Sequence, residues 1–233
     1  MTMRHFACGL LTAVALTGPI AAQAEPVVVV ELYTSQGCSS CPPADEYLAT
    51  LVNDPSIIPL AMHVDYWDYI GWADTFSMAK FTDRQQAYAR AAGSRTIYTP
   101  QMIVGGVDRV EGNNPQAINA LIRAHQNTAT DVALDVVRTG DKLAISAKVI
   151  GAISGPLDVV VVRYHAQESV AIERGENAGR TVNYHNIVTA WDTIGEWSGA
   201  APLQMKATIK GDQDVVVILQ QQGPADILAA ARP

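Results

Sequence analysis

The stretch Val27-Val28-Val29-Val30-Glu31-Leu32-Tyr33-Thr34-Ser35-Gln36-Gly37-Cys38-Ser39-Ser40-Cys41-Pro42-Pro43-Ala44-Asp45-Glu46-Tyr47-Leu48 decides how this chain is read. A near-continuous β-branched run is the pattern of a strand buried on both faces. Two cysteines separated by two residues follow it at once. A helical segment over Ala44 to Val52 then leaves them, with Tyr47, Leu48, Leu51 and Val52 as its inward stripe, and Asn53-Asp54-Pro55 stops it. Thiols at such a junction can close into a disulfide, reopen, and feel the positive end of the helix that follows.

Working outward, Ile57 to Asp65 reads as a second buried strand, and a strand, a helix and a strand make a parallel crossover. Parallel strands bring the segments leaving their carboxyl ends to one edge of the sheet, where α/β folds place their sites. Tyr66-Trp67-Asp68-Tyr69-Ile70-Gly71-Trp72 is therefore expected beside the dithiol. A helix over about Ser77 to Ala92 follows, then the break Tyr98-Thr99-Pro100, a strand over Gln101 to Gly105 and a hairpin return at Arg109-Val110-Glu111. Asn114 caps a closing helix, with Pro115 at its first position, that runs to about Gln126.

After Thr128 the period changes to alternation, in Val132, Leu134, Val136 and again in Leu143, Ile145, Ala147, Val149. Strands are also expected over Pro156 to Tyr164, Ile187 to Trp191, Leu203 to Ile209 and Val215 to Leu219, with glycine-rich breaks between them. The fold class is thus α/β, with an α/β unit over 25–130 and a separate antiparallel, sandwich-like all-β unit over 131–233.

Composition narrows the functional classes. Residues 1–24 read as a secretory signal: a short polar start at Arg4 and His5, an apolar run from Phe6 to Ala22, and a small-x-small site at Ala22-Gln23-Ala24. Removing it takes away Arg4 and no acid, so a formal charge of −7 becomes −8. A chain this acidic has no attraction for nucleic acid or anionic lipid. No later run reaches membrane-span length, and the protein is expected in the periplasm or outside the cell. Of the 3 cysteines, Cys8 goes with the leader, so Cys38 and Cys41 are the whole thiol complement. Exported proteins use cysteines mainly to staple long loops. A bridge across two residues closes almost no loop, so the pair is better explained by reactivity than by stability.

The order strand, Cys-x-x-Cys, helix, strand, helix, Thr-Pro, hairpin, helix resembles the thioredoxin fold. The segment Val29 to Ala44, His63-Val64-Asp65-Tyr66-Trp67-Asp68 and Arg174-Gly175-Glu176-Asn177-Ala178-Gly179-Arg180-Thr181 are together similar to a family of secreted bacterial thioredoxin-like proteins of uncharacterised function. That resemblance implies that Cys38 is the exposed nucleophile and Cys41 the resolving thiol. It implies that Thr99-Pro100 is a cis pair facing the dithiol, and that the partners are protein or peptide thiols and disulfides. Pro42-Pro43 depart from the pattern, because proline donates no N–H and is uncomfortable beyond a helix's first turn. A later helix start, and a weaker dipole on Cys38, are expected.

Other residues are candidates on chemical grounds. Glu31, an acid in an apolar strand, would have its pKa raised by burial and is expected to hold the proton of Cys41 during exchange, or else to reach water at the strand end. Tyr66 and Trp67, with Tyr69 and Trp72, offer either a peptide-docking surface or a plug between the two halves. His63 reads as a core histidine. With Cys38 and Cys41 it would suit a soft ion such as Cu(I), but no further Cys or Met cluster completes such a site. The sequence therefore points to a thiol–disulfide oxidoreductase working without cofactor or resident metal, with metal handling or plain thiol-dependent binding as the alternative.

Overall fold

The computed structural model describes residues 26–233. The leader expected over residues 1–24 lies outside them. Strand β1 (Val28–Thr34) is buried at every position, as its β-branched run requires. Helix α1 (Pro42–Leu51) then leads to β2 (Ile57–His63), which pairs parallel with β1. A single 3₁₀ turn (Asp68–Ile70) precedes α2 (Ala79–Ala91). β3 (Gln101–Val104) runs antiparallel to β1 and turns into β4 (Asp108–Glu111). Helix α3 (Pro115–Gln126) starts on its Asn114 cap, whose side chain accepts from the Ala117 N–H at 3.1 Å.

The remaining elements are strands: β5 (Val132–Thr139), β6 (Lys142–Val149), β7 (Leu157–Ala171), β8 (Thr181–Trp197), β9 (Leu203–Thr208), β10 (Asp214–Gln221) and β11 (Ile227–Ala231). The all-strand second half is as its alternation predicts, but its separateness is corrected. One eight-stranded sheet in the order β11-β10-β7-β8-β2-β1-β3-β4 crosses from one half into the other, and β5-β6-β9 form a second, three-stranded sheet. The small sheet packs on Val159, Val161, Val215, Val217 and Leu219, while Val160, Val162, Val216 and Ile218 turn the other way, onto the face that carries α2. Helices α1 and α3 cover the opposite face of the first half, on Val28, Val30, Leu32, Met102 and Val104. The chain is thus a mixed α/β protein with a large, mostly antiparallel sheet and few helices.

Three expectations shift for identifiable reasons. Helix α1 begins two residues early, not late, because Pro42 and Pro43 occupy its first two positions, where no N–H is needed. β7 and β8, at 15 and 17 residues, run well beyond the expected 156–164 and 187–191, since the outer part of β7 is exposed and polar, and that of β8 offers only Val182 and Tyr184 as an apolar alternation. β11 is Ile-Leu-Ala-Ala-Ala, and alanine carries little strand signal.

A buried polar knot ties the halves together. The Arg84 guanidinium donates to both carboxylate oxygens of Glu31 at 2.8 Å and to Gln220 Oε1 at 3.0 Å, and lies 3.7 Å from the Trp191 ring centre. Tyr33 and Tyr88 donate their hydroxyls to the same carboxylate at 2.8 and 2.7 Å. Removing one partner of such a pair strands a buried charge. Arg84→Met should therefore cost about 3 kcal/mol in urea unfolding, with much of the loss recovered in Arg84→Met combined with Glu31→Leu. Equal losses for the single and the double variant would show that the knot is not held by the ion pair.

Candidate functional site

Cys38 and Cys41 are joined in a disulfide with Cα atoms 5.4 Å apart. The backbone reaches it through tight turns, Cys38 N–H to Ser35 O at 3.1 Å and Cys41 N–H to Cys38 O at 3.2 Å. Cys41 itself stands at the helix N-cap without a side-chain cap. Both thiol residues are covered: Cys38 is 3% exposed and Cys41 fully buried. The exposed nucleophile expected at Cys38 is thus corrected, and what covers this edge comes partly from the second half of the chain.

The expected support from free helix N–H groups is also absent from the first turn of α1. Pro42 and Pro43 carry none, while the amides of Ala44 and Asp45 are bonded to Cys41 O at 2.8 and 3.1 Å. The polar group that does reach Cys38 Sγ is the Ser40 hydroxyl at 3.4 Å. Ser40 Oγ in turn lies 3.5 Å from Thr99 O. The Thr99–Pro100 bond is cis, and Trp67 Nε1 donates to Thr99 Oγ1 at 2.7 Å. Gly37 is held beneath Trp67, since a Cβ there would lie 3.3 Å from Trp67 O. The structure therefore brings Cys38, Cys41, Trp67, Thr99 and Pro100 together.

Tyr66 stands one step aside, donating to Gln85 Oε1 at 3.2 Å. The fold divides the aromatic group, and only Trp72 takes the place of a plug between the halves. Trp72 packs with Phe76, Ile172, Val182, Tyr184 and Ile187, between the first half and the outer end of the β7–β8 hairpin. Tyr69 is 80% exposed.

Glu31 is buried but does not serve the dithiol. Its neighbours Val30 and Leu32 pack with α1, so strand alternation turns Glu31 to the opposite face, where Arg84, Tyr33 and Tyr88 occupy its oxygens. The acid on the dithiol's side is Asp45, to which the sequence alone assigns no role. It sits one helical turn after Cys41, is 3% exposed, and accepts from Thr34 Oγ1 at 3.1 Å, while its Oδ1 has no partner among the described residues. Burial pushes its carboxyl up to about 7, with His63 pulling it down and Asp74 and Glu46 adding to the rise.

Beside it His63, fully buried, is bonded through Nδ1 to Asp74 Oδ2 at 2.6 Å. Asp74 also accepts from the backbone N–H groups of Gln36 and Phe76, both at 2.8 Å. This explains how a second carboxylate is tolerated there. His63 is the core histidine that the sequence suggests. Among the described residues no group of three His, Cys, Asp or Glu side chains is placed to hold a metal ion.

The hairpin loop 172–180 completes this edge. Asn177 Nδ2 donates to Gln36 O and to Cys38 O, both at 2.9 Å. The loop reads from sequence only as a long connection that leans on the first half, and the one buried asparagine among exposed neighbours is what the fold adds.

These features define a mixed α/β protein with a covered disulfide at a strand–helix junction and a buried acid one turn behind it. The family model "Protein of unknown function (DUF1223)" matches residues 29–220, and the chain belongs to that family. Among solved structures it is similar to protein AGR_C_4864 from Agrobacterium tumefaciens, at 34% identity and a TM-score of 0.77, over 89% of this chain and 94% of the other. The fold alone is shared with HBP35 of Porphyromonas gingivalis, at 14% identity and a TM-score of 0.60, over 90% of this chain and 75% of that one. No curated protein matches.

The raised Asp45 carboxyl has a thermodynamic consequence. Folding moves it from an ordinary 3.8 to about 7, so the folded chain takes up a proton between those values. The stability this contributes is present in full below about pH 4 and is lost as pH rises to about 7. Asp45→Asn should remove that dependence, gaining on the wild type in urea unfolding between pH 4 and pH 7.5. A difference between the two proteins that is the same at both pH values would show that Asp45 titrates as a surface acid.

Proposed function

We propose that this protein is an exported, thioredoxin-like thiol–disulfide oxidoreductase whose dithiol is Cys38 and Cys41. The observation that carries the reading is the disulfide's place, at the junction of β1 and α1 beside Thr99-Pro100 and one turn ahead of a buried acid of shifted pKa. A bridge that closes so short a loop adds little to stability. The leader-like residues 1–24 and the absence of other thiols from the shortened chain support a compartment where disulfides persist. Among the described residues no helix is long and apolar enough to cross a membrane.

In the reducing direction the steps balance as follows. The Cys38 thiolate attacks one sulfur of a protein or peptide disulfide. That S–S bond breaks, the distal sulfur leaves as a thiolate and takes a proton, and a mixed disulfide forms on Cys38. Cys41 gives its proton to the Asp45 carboxylate and attacks Cys38 Sγ. The mixed disulfide breaks, the second substrate sulfur departs and recovers the proton from Asp45, and Cys38–Cys41 is oxidised by two electrons. The same steps in reverse oxidise a dithiol. A carboxyl at about 7 is matched to both halves of this proton transfer. Ser40, 3.4 Å from Cys38 Sγ, donates to the thiolate. Trp67 and Thr99 line the approach, and Tyr66 supports them from behind.

The decisive experiment is exchange with a model peptide disulfide. Wild type should turn it over, Cys38→Ser should fall to the uncatalysed rate, and Cys41→Ser should accumulate a mixed disulfide on Cys38 visible by intact mass. Wild type with no exchange in either direction, together with an empty Cys41→Ser trap, would remove the enzyme reading.

A further inference from the structure

The backbone of Cys38, itself 3% exposed, is contacted from the other half of the chain. The loop 172–180 joins β7 to β8 and is braced within itself, by Gly179 N–H to Ile172 O at 2.8 Å, Ile172 N–H to Arg180 O at 2.9 Å and Ala178 N–H to Gly175 O at 3.2 Å. The loop is therefore a small unit with its own hydrogen bonds. Its neighbours Glu176 and Ala178 face solvent, while Asn177 between them is 2% exposed and inserted against the dithiol backbone.

The anchor has two parts. Asn177 Nδ2 bridges the carbonyls of Gln36 and Cys38, and Gly175, at φ 77°, packs on Trp72, where a Cβ would come within 3.2 Å of Trp72 Cβ. Only one end of the amide is used, since Asn177 Oδ1 is buried without a partner among the described residues. Closure therefore carries a desolvation cost that offsets part of the two hydrogen bonds. The ribbon from Gln167↔His185 to Ala171↔Thr181 pairs only within itself, and β8 meets β2 in register only at Ala61↔Ile187, so the arm is held to the first half mainly by side chains, Trp72 and Phe76 on Val182, Tyr184 and Ile187, and the loop beyond it by Asn177 and Gly175.

We propose that the 172–180 loop is a latch over the dithiol, held by Asn177, which decides how large a thiol or disulfide partner reaches Cys38. Asn177 is on this account a positioning residue and takes no part in the electron transfer. The inference rests on the exchange reading above and adds a substrate limit to it. With the latch shut, slender thiols reach the Cys38–Cys41 disulfide, and a protein thiol must first lift the loop. The opening step then appears in the rate for large partners and not for small ones.

The test is the rate at which the oxidised protein is reduced by dithiothreitol and by reduced, unfolded ribonuclease A. In each reaction the reductant's thiolate opens the Cys38–Cys41 bond and its second thiol completes a new disulfide on the reductant. Asn177→Ala removes the bridge, and Gly175→Val independently pushes the loop off Trp72, so either variant suffices if the other does not fold. Both should speed the ribonuclease reaction by about tenfold or more and the dithiothreitol reaction by less than about threefold, with near-unchanged thermal melting. Equal acceleration of the two reductants, or none, overturns the latch and leaves the exchange reading intact. Reduction by dithiothreitol but no ribonuclease reaction in wild type or either variant overturns both.

Discussion

The structure depends on β2 accepting a strand on each side. Its parallel pairing with β1 is continuous over seven positions, from Val28↔Ile57 to Thr34↔His63. Its other side meets β8 in register only at Ala61↔Ile187. Pro59, in the middle of β2, has no N–H to give to a ladder, and the contact is completed by a side chain, Asn186 Nδ2 to Pro59 O at 2.7 Å. Asn186 adopts φ 48° to do so, in the left-handed region that asparagine tolerates better than most residues. Through this narrow joint the strands of the second half become a continuation of the first sheet, and the outer β7–β8 ribbon is carried over the carboxyl ends of β1 and β2. The covered dithiol, the Trp72 plug and the Asn177 contact all follow from that placement.

Three buried carboxylates near this sheet meet the cost of burial in different ways, and the differences separate structure from chemistry. Glu31 is neutralised by Arg84 and two phenols, a closed arrangement with no acceptor left over. Asp74 is satisfied by His63 and two backbone amides. Asp45 has one threonine hydroxyl and a free oxygen, and answers with its pKa. Glu31 and Asp74 are held by fixed donors on every side that the structure describes. Asp45 is the under-satisfied one, and it is the one on the dithiol's own helix.

Much of the first half was legible in the sequence because its elements obey one rule each: the Val27 to Leu32 run for a strand covered on both faces, Asn114-Pro115 for a capped helix, Cys-x-x-Cys at the junction between strand and helix. The same two-face rule applies to Val159-Val160-Val161-Val162 and to Val215 through Leu219, and it marks these as central strands of a shared sheet more strongly than as one face of a separate sandwich. What no local rule reveals is which acid lies on the dithiol's side of the sheet. Glu31 and Asp45 both stand near the cysteines in sequence, and only strand alternation and helix phase, fixed by the packing of Val30 and Leu32 on α1, put one on each side of the sheet. Asn177 was equally hidden, because its partners Gln36 and Cys38 are remote in sequence and it meets their carbonyls through an amide with no pattern of its own.

The double proline after Cys41 connects these points. It fits the helix start because the first turn has no use for its N–H groups inside the helix. Those same N–H groups are the ones that make a helix N-terminus a good place for an anionic sulfur. A chain that keeps both prolines has therefore given up part of the backbone stabilisation of a Cys38 thiolate, and the remaining local donor to that sulfur is Ser40. On the exchange reading proposed above, a weaker pull on the first cysteine makes removal of the second cysteine's proton the more demanding step, and Asp45, one turn behind Cys41, is the acid proposed for it. The prolines, the buried acid and the loop bonded to Cys38 O thus converge on the Cys38–Cys41 disulfide from three separate parts of the chain.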